Sequence, residues 1–357
     1  MRLLFYTRIF RLAGTGAEDY AVKLCAGLAN RGHDIHVVAD DIDAINGLHT
    51  YTDTLKIDAL QKQIQPDLSI DWQFVYPADI HRMGSGVHAS FIRYSLEAYS
   101  GLSRRYKQLR YNNRKHREII ERQKKLLTNA SAWFLPNSNF CADQARENGA
   151  IPENVITLHN GVDTKHFTPA SDNRARNRLR KEWGVLDEDV VFLFVAHNLR
   201  LKNYQLLQRI FVGLQKHPEF KLVIVGKHKP MRMPNNCIYA GKADDMVDAY
   251  QAADTFLHPT YYDSCANVVL EAMSCGLPVV ASDRCGANEL ITNEENGFQL
   301  PVMGDPAVIQ QAWDKLIRML GKNSGLRQRV GAQARQAMLV NDFDHYIDRF
   351  EAILEQV

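Results

Sequence analysis

Short apolar runs of strand length alternate with longer stretches of helical period, and the alternation starts twice along the chain. Residues 3–7 read as a buried strand and 11–19 as a glycine-bearing loop. Ala21, Leu24, Cys25 and Leu28 then mark the buried face of a helix that Gly32 ends before a strand at 35–39. Residues 44–80 are polar apart from a strand expected near Phe74 and Val75. A strand at 132–136, a helix from Asn139 to near Gly149 and a strand at 155–158 close the first half. The second start comes at Val190, with a strand at 191–196, a loop at 197–203, a helix lined by Leu207, Ile210, Phe211 and Leu214, and a strand at 221–225. A short strand at 238–241, an amphipathic helix at 244–253 and a strand at 255–258 follow, and the final helix carries Tyr346, Phe350, Ile353 and Leu354 on one face. Two βαβ openings predict an α/β protein of two Rossmann-like domains facing each other across a cleft.

The run HPTYYDSCANVVLEAMSCGLPVVAS, residues 258–282, organises the second half. Asp263 falls in a loop before a helix that Asp263 or Ser264 would cap, and Glu271 lies about two turns in. Val269, Ala272 and Met273 share a face, Gly276 is the stop, and 277–281 reads as a buried strand. This order aims the amides of Ala266, Asn267 and Val268 and the positive end of the helix at one point, where a diphosphate could be held. An ordinary capped crossover has the same spacing. Gly14 and Gly16 fall in the first βα turn, where missing side chains let the backbone approach a phosphate, as a simple tight turn also would. Arg200 and Lys202 stand at the carboxyl end of a strand, where ligands of open α/β sheets gather; exposed surface cations are the other reading. Asp41-Ile42-Asp43 spells a metal-binding D-x-D, but it follows the second strand of a βαβ unit with no other acidic cluster behind it, so a solvated loop is expected and no metal site.

The 357 residues suit two domains, and 45% apolar with 24% charged residues is ordinary for a soluble globular chain. The polar stretch 171–181 marks the expected boundary, giving domains 1–168 and 169–340 and a terminal helix at 341–357. Six cysteines with no C-x-x-C pair imply reduced, buried thiols and a cytoplasmic setting. The first ten residues do not read as a secretory signal, and no apolar run approaches the roughly 20 residues of a membrane span. Residues 104–125 hold ten Lys or Arg against Glu118 and Glu121, with Tyr106, Leu109, Tyr111, Ile119 and Ile120 interleaved. A helix drawn to an anionic membrane, at the inner face of the cytoplasmic membrane, or to an anionic glycolipid acceptor ranks first, a solvated helix close behind and nucleic acid a distant third, since no nucleic-acid module accompanies the charge.

Taken together, Pro259, Asp263, Glu271, Ala272, Gly276, Leu277, Pro278 and Val279 resemble the E-x7-E region of retaining glycosyltransferases of family 4, which have the GT-B architecture; Asp263 stands where the first Glu is usual. Residues 78–92, ADIHRMGSGVHASFI, resemble a segment of the lipopolysaccharide-core glucosyltransferases, with Ser85 where many relatives carry Asp. His159 to Asp163 (HNGVD) and Phe167-Thr168-Pro169 resemble the hinge of that family. The resemblance implies a metal-independent transfer of a hexose from a nucleotide diphosphate sugar, UDP-glucose as leading donor, to a glycolipid or oligosaccharide acceptor hydroxyl with retention. It puts Lys202, ordinarily followed by Gly where Asn203 stands, on the donor phosphate, Glu271 on the ribose and Asp263 on the sugar hydroxyls. His88 falls on the acceptor side, the glycine pair Gly14 and Gly16 on the diphosphate, Gly241 near the base, and the last helix crosses back to the first domain. A nucleotide-sugar epimerase of the same fold, a non-catalytic sugar-nucleotide binder and, ranked below them given the basic helix, a sucrose-phosphate or trehalose-type synthase are the alternatives, and the general base stays open because Ser85 cannot accept a proton as a carboxylate does.

Overall fold

The computed structural model describes residues 1–12, 16–52, 57–243 and 245–357. The chain divides into two compact units, one made of Met1–Arg93, Arg105–His159 and Asp344–Val357, the other of Tyr94–Arg104 and Asn160–Phe343.

The first unit carries β1 (Arg2–Tyr6), β2 (Ile9–Phe10), β3 (Asp34–Ala39), β4 (Asp41–Ile42), β5 (His49–Thr52), β6 (Leu68–Asp71), β7 (Ile80–Met83) and β8 (Trp133–Pro136). Six of them form a sheet in the order β5-β3-β1-β6-β7-β8, every described pair parallel. The second unit carries β9 (Val190–Val195), β10 (Phe220–Val225), β11 (Cys237–Gly241), β12 (Thr255–His258), β13 (Val279–Ser282) and β14 (Phe298–Leu300), in the order β11-β10-β9-β12-β13-β14. Both orders run outward from the first strand in one direction and then reverse, so each sheet has a crevice at its reversal point, between β1 and β6 and between β9 and β12, where Rossmann-like folds bind ligands. The two expected Rossmann-like domains are present.

Why the central strands read as continuous apolar runs is visible in β9. Val191, Leu193 and Val195 pack into one core layer with Val269 and Met273, while Phe192 and Phe194 pack into the other with Phe211 and Trp313. A parallel strand covered on both faces needs no polar side. In the first unit the terminal helix Phe343–Leu354 brings Phe350 to a stacked contact with Phe5 at 6.5 Å, and Arg31 bonds Asp348 at 2.5 Å and also Glu351. All six cysteines are free and buried.

Several local expectations fail. The strand expected at Phe74 and Val75 is instead β6, and Phe74 is a turn residue with φ of 56°. Asp41 and Ile42 form β4, paired with β2, rather than a solvated loop; Arg11 bonds Asp41 and the Leu12 amide donates to Asp43, so both carboxylates brace that ribbon. Residues 155–158 make only an isolated bridge, Phe134 to Val155. The stretch 171–181, distinguished by sequence only as polar, holds most of the helix Arg174–Trp183, which buries Arg180. The basic run is two helices, Gly101–Tyr111 and Arg114–Leu127, because Asn113 stops the first and caps the second through the His116 amide.

Candidate functional site

In the second unit, Lys202 lies in the loop after β9 and Asp263 in the loop after β12, the two strands that flank the reversal point. Backbone contacts bring the loops together. The Tyr261 amide donates to the Leu201 carbonyl at 2.9 Å, Thr260 Oγ1 donates to the Tyr262 carbonyl at 2.9 Å, and Ser282 Oγ donates to the Thr260 carbonyl at 2.7 Å. Asp263 is pinned further, its amide donating to Arg284 and its carbonyl accepting from Gly286, both at 2.9 Å.

So held, Lys202 Nζ forms an ion pair with Asp263 Oδ2, and both side chains are 19% exposed. His258, the last residue of β12, is fully buried with Nε2 at 3.3 Å from the same oxygen. Burial opposes ionisation of Asp263, but Lys202 and then His258 outweigh it and hold the carboxyl well below its usual range. Burial, followed by the neighbouring Lys202 charge, pushes His258 down, so the ring stays neutral. Burial drives the neighbouring Cys285 thiol up to about 12, which makes it inert packing.

Beside this pair, the helix Asn267–Ser274 starts at Ala266, whose side chain gives no cap. The cap position is thus Ala266 rather than the expected Asp263 or Ser264, and the Asp263 backbone is bonded to Arg284 and Gly286. The residue at the cap position therefore brings no side-chain oxygen to the amides at the start of this helix, which suits an anion. Asn267 is oriented through its Oδ1, which accepts from Asn160 Nδ2 at 2.8 Å. Glu271 sits about one turn into the helix, not two. The buried Tyr250 hydroxyl donates to its Oε2 at 2.7 Å, which fixes the carboxylate.

Arg200 is engaged elsewhere: its guanidinium lies 4.4 Å over the Tyr99 ring and Nε donates to the Ala98 carbonyl at 3.0 Å. Gly241 ends β11 with φ of 76° and accepts from the Gly226 amide at 2.7 Å. In the first unit, Gly14 lies outside the described residues, and Gly16 opens the helix Gly16–Asn30. His88 starts the helix His88–Ser95, donates its amide to Gln123 Oε1 at 2.7 Å, and has Nε2 at 2.8 Å from His116 Nδ1. Burial lowers both imidazoles, with the neighbouring His116 adding to it for His88 and Lys115 for His116.

Sequence reasoning missed His258, Tyr250 and the aromatic stack in which Tyr262 lies 5.7 Å from Tyr94 with Arg284 5.0 Å over the Tyr94 ring. His258 could have been found, since it ends an apolar strand at the reversal point. The others depend on folds of the chain that no local pattern carries.

The glycosyl transferases group 1 model matches residues 175–337, and the glycosyltransferase family 4 model matches residues 14–166, so together they span most of the chain. A GDP-mannose-dependent alpha-mannosyltransferase of Mycobacterium tuberculosis is 28% identical over 243 residues, covering 63% of this chain and 60% of the relative. The chain spans about half to three-fifths of the length of the curated relatives it matches. Among solved structures, WaaG, a glycosyltransferase involved in lipopolysaccharide biosynthesis, superposes with a TM-score of 0.77 at 16% identity over 98% of this chain and 99% of that one. Anabaena HepE in complex with UDP and glucose superposes with a TM-score of 0.75 at 16% identity over the whole of both chains. The chain belongs to the family 4 glycosyltransferases, of GT-B fold.

Proposed function

We propose that this chain is a retaining hexosyltransferase that moves a sugar, glucose from UDP-glucose in the leading reading, onto a hydroxyl of a glycolipid or lipopolysaccharide-type acceptor without a divalent ion. The observation that carries it is the Lys202–Asp263 pair at the β9/β12 reversal point beside the start of the helix Asn267–Ser274. The barrier to glycosyl transfer is rupture of the anomeric C–O bond, which builds negative charge on the departing diphosphate and positive charge on the sugar. Lys202 and the amides of Asn267 and Val268 offer positive charge to the first. Asp263 accepts from the sugar hydroxyls once donor phosphate competes for Lys202, and Glu271, oriented by Tyr250, accepts from the ribose. The acceptor oxygen bonds to the anomeric carbon as its bond to the diphosphate breaks, and the acceptor proton passes to a departing phosphate oxygen. The UDP complexes of HepE favour UDP, while the mannosyltransferase relative uses GDP-mannose, so base and sugar are what an experiment must separate.

Thermal unfolding with UDP-, GDP- and ADP-sugars should show one series raising the melting temperature, by mass action. Turnover with that donor should persist in EDTA. No shift with any of them, or activity lost in EDTA and restored by manganese, removes this reading.

A membrane-bound acceptor fits the basic helices. Leu102, Tyr106 and Leu109 recur at one-face spacing on Gly101–Tyr111 and are 82%, 64% and 73% exposed, and no residue of that helix is buried. An apolar stripe flanked by Lys and Arg suits the surface of an anionic bilayer. Sedimentation with phosphatidylglycerol vesicles should pellet the chain at low salt and release it at high salt, whereas pelleting indifferent to salt or absent would contradict this placement.

A further inference from the structure

A second cluster lies at the other end of the first sheet. Asp34 and His49 are the first residues of β3 and β5, so they stand at the amino ends of their strands, away from the carboxyl ends where ligands of such sheets bind. The parallel register pairs His36 with His49, and alternation along β3 puts Asp34 on the face of His36. Chain topology alone therefore assembles two imidazoles and a carboxylate at one sheet edge.

Their atoms are spaced as a metal site requires. His36 Nε2 lies 3.2 Å and His49 Nε2 3.3 Å from Asp34 Oδ1, and the three atoms all fall within 4.8 Å of one another. Ligands about 2.0–2.1 Å from a tetrahedral zinc ion stand about 3.3 Å apart. Moreover, Nε2 of His36 is buried and stands 3.2 Å from that carboxylate oxygen without a well-aligned hydrogen bond. The two imidazoles stack with ring centroids 4.6 Å apart and 18° between their planes, so taking one ion between them needs the exposed His49 ring to turn toward it. Supporting contacts complete the set. His36 Nδ1 is 3.0 Å from the Tyr51 hydroxyl, which fixes the ring and leaves Nε2 bare when Nδ1 donates. Arg2 Nε holds the other Asp34 oxygen at 2.8 Å, leaving Oδ1 to face the imidazoles.

We propose that Asp34, His36 and His49 bind one zinc-class divalent ion, with a water in the fourth position. Two imidazoles and a carboxylate suit zinc rather than magnesium or calcium. The ion clamps the edge strand β5 onto β3 and acts on stability, not on the transfer chemistry, so this site stands whether or not the donor assignment does.

The test uses the full chain without a histidine tag, stripped with chelator and titrated with zinc chloride against a chromophoric competitor. Expected are one saturable site per chain, a rise in melting temperature on zinc addition and none on magnesium addition. His49→Gln should weaken binding at least tenfold while leaving the metal-free melting temperature unchanged, since His49 is largely exposed. Tyr51→Phe should weaken it about 10–100-fold through the ring it orients, which a surface histidine acting alone would not show. Absence of saturable zinc binding in the parent chain, or equal binding by His49→Gln, overturns the proposal.

Discussion

Lys202→Met should lower kcat/KM for donor by about 10²–10³-fold, the size expected when a preorganised positive group facing a developing anion is removed. The same substitution should destabilise the fold by about 1–3 kcal/mol, because it leaves Asp263 a largely buried carboxylate without its cation. The sign follows from the carboxyl. In the parent chain Asp263 titrates below its unfolded value, so its stabilising contribution is present above about pH 4 and is lost as pH falls through the folded value. Without Lys202 that contribution disappears, and burial then opposes the charge at neutral pH. Lys202→Met combined with Asp263→Asn should therefore recover most of the lost stability, because both partners of the pair are neutral, yet recover none of the activity. Urea denaturation beside steady-state kinetics on the parent and the two variants separates the two roles. A Lys202→Met chain with kcat/KM within a few-fold of the parent would sink the assignment.

The sequence makes this pair legible in part. Strand-length apolar runs bring β9 and β12 into view because both faces of each are covered, and the loops after them then had to be ligand-side. The pairing itself is not legible, since Lys202 and Asp263 are joined by contacts across loops, 61 positions apart. Asn203 shows the same division. A glycine is usual after the lysine, and the reason appears only in the backbone: Asn203 has φ of 59° and ψ of 40°, left-handed, at the residue preceding the helix Tyr204–Gly213. Asparagine is the side chain that best tolerates this region after glycine, so the departure from the family pattern keeps the turn. The misreading of 104–125 as one helix has an equally local cause. Its charge pattern is continuous through the break, and only the capping role of Asn113 reveals two helices. Likewise, Phe74 looks like a strand residue by type, whereas Asp71 closes the loop around it by accepting from the Val75 amide at 2.5 Å and the Tyr76 amide at 2.9 Å.

Arg180→Met should cost about 3–5 kcal/mol of stability, among the larger effects open to a single substitution in this chain. By sequence Arg180 belongs to a polar stretch, yet its side chain is 1% exposed. Nη2 donates to the Leu186 carbonyl at 2.7 Å and to that of Asp189, while Nη1 donates to the Ala252 carbonyl and to Asp254 Oδ2, both at 3.2 Å. Asp254 in turn accepts from the Val191 amide at 2.7 Å, so this guanidinium ties the start of β9 to the start of β12. Those strands carry Lys202 and Asp263 at their far ends. Methionine fills the volume but leaves several buried carbonyls without a donor. Lysine keeps the charge but, as a point cation with three donors, cannot span acceptors on both sides, so Arg180→Lys should recover less than half the loss. Arg176 bonds Asp254 Oδ1 at 2.8 Å from a position 28% exposed, and Arg176→Ala should cost only about 1 kcal/mol, as for a partly solvated ion pair. Urea unfolding followed by the fluorescence of Trp183 and Trp313, both in this unit, ranks the three variants. An Arg180→Met chain within about 0.5 kcal/mol of the parent would show that the strand starts are held by packing alone, and that the buried guanidinium is an accommodated charge rather than the tie between them.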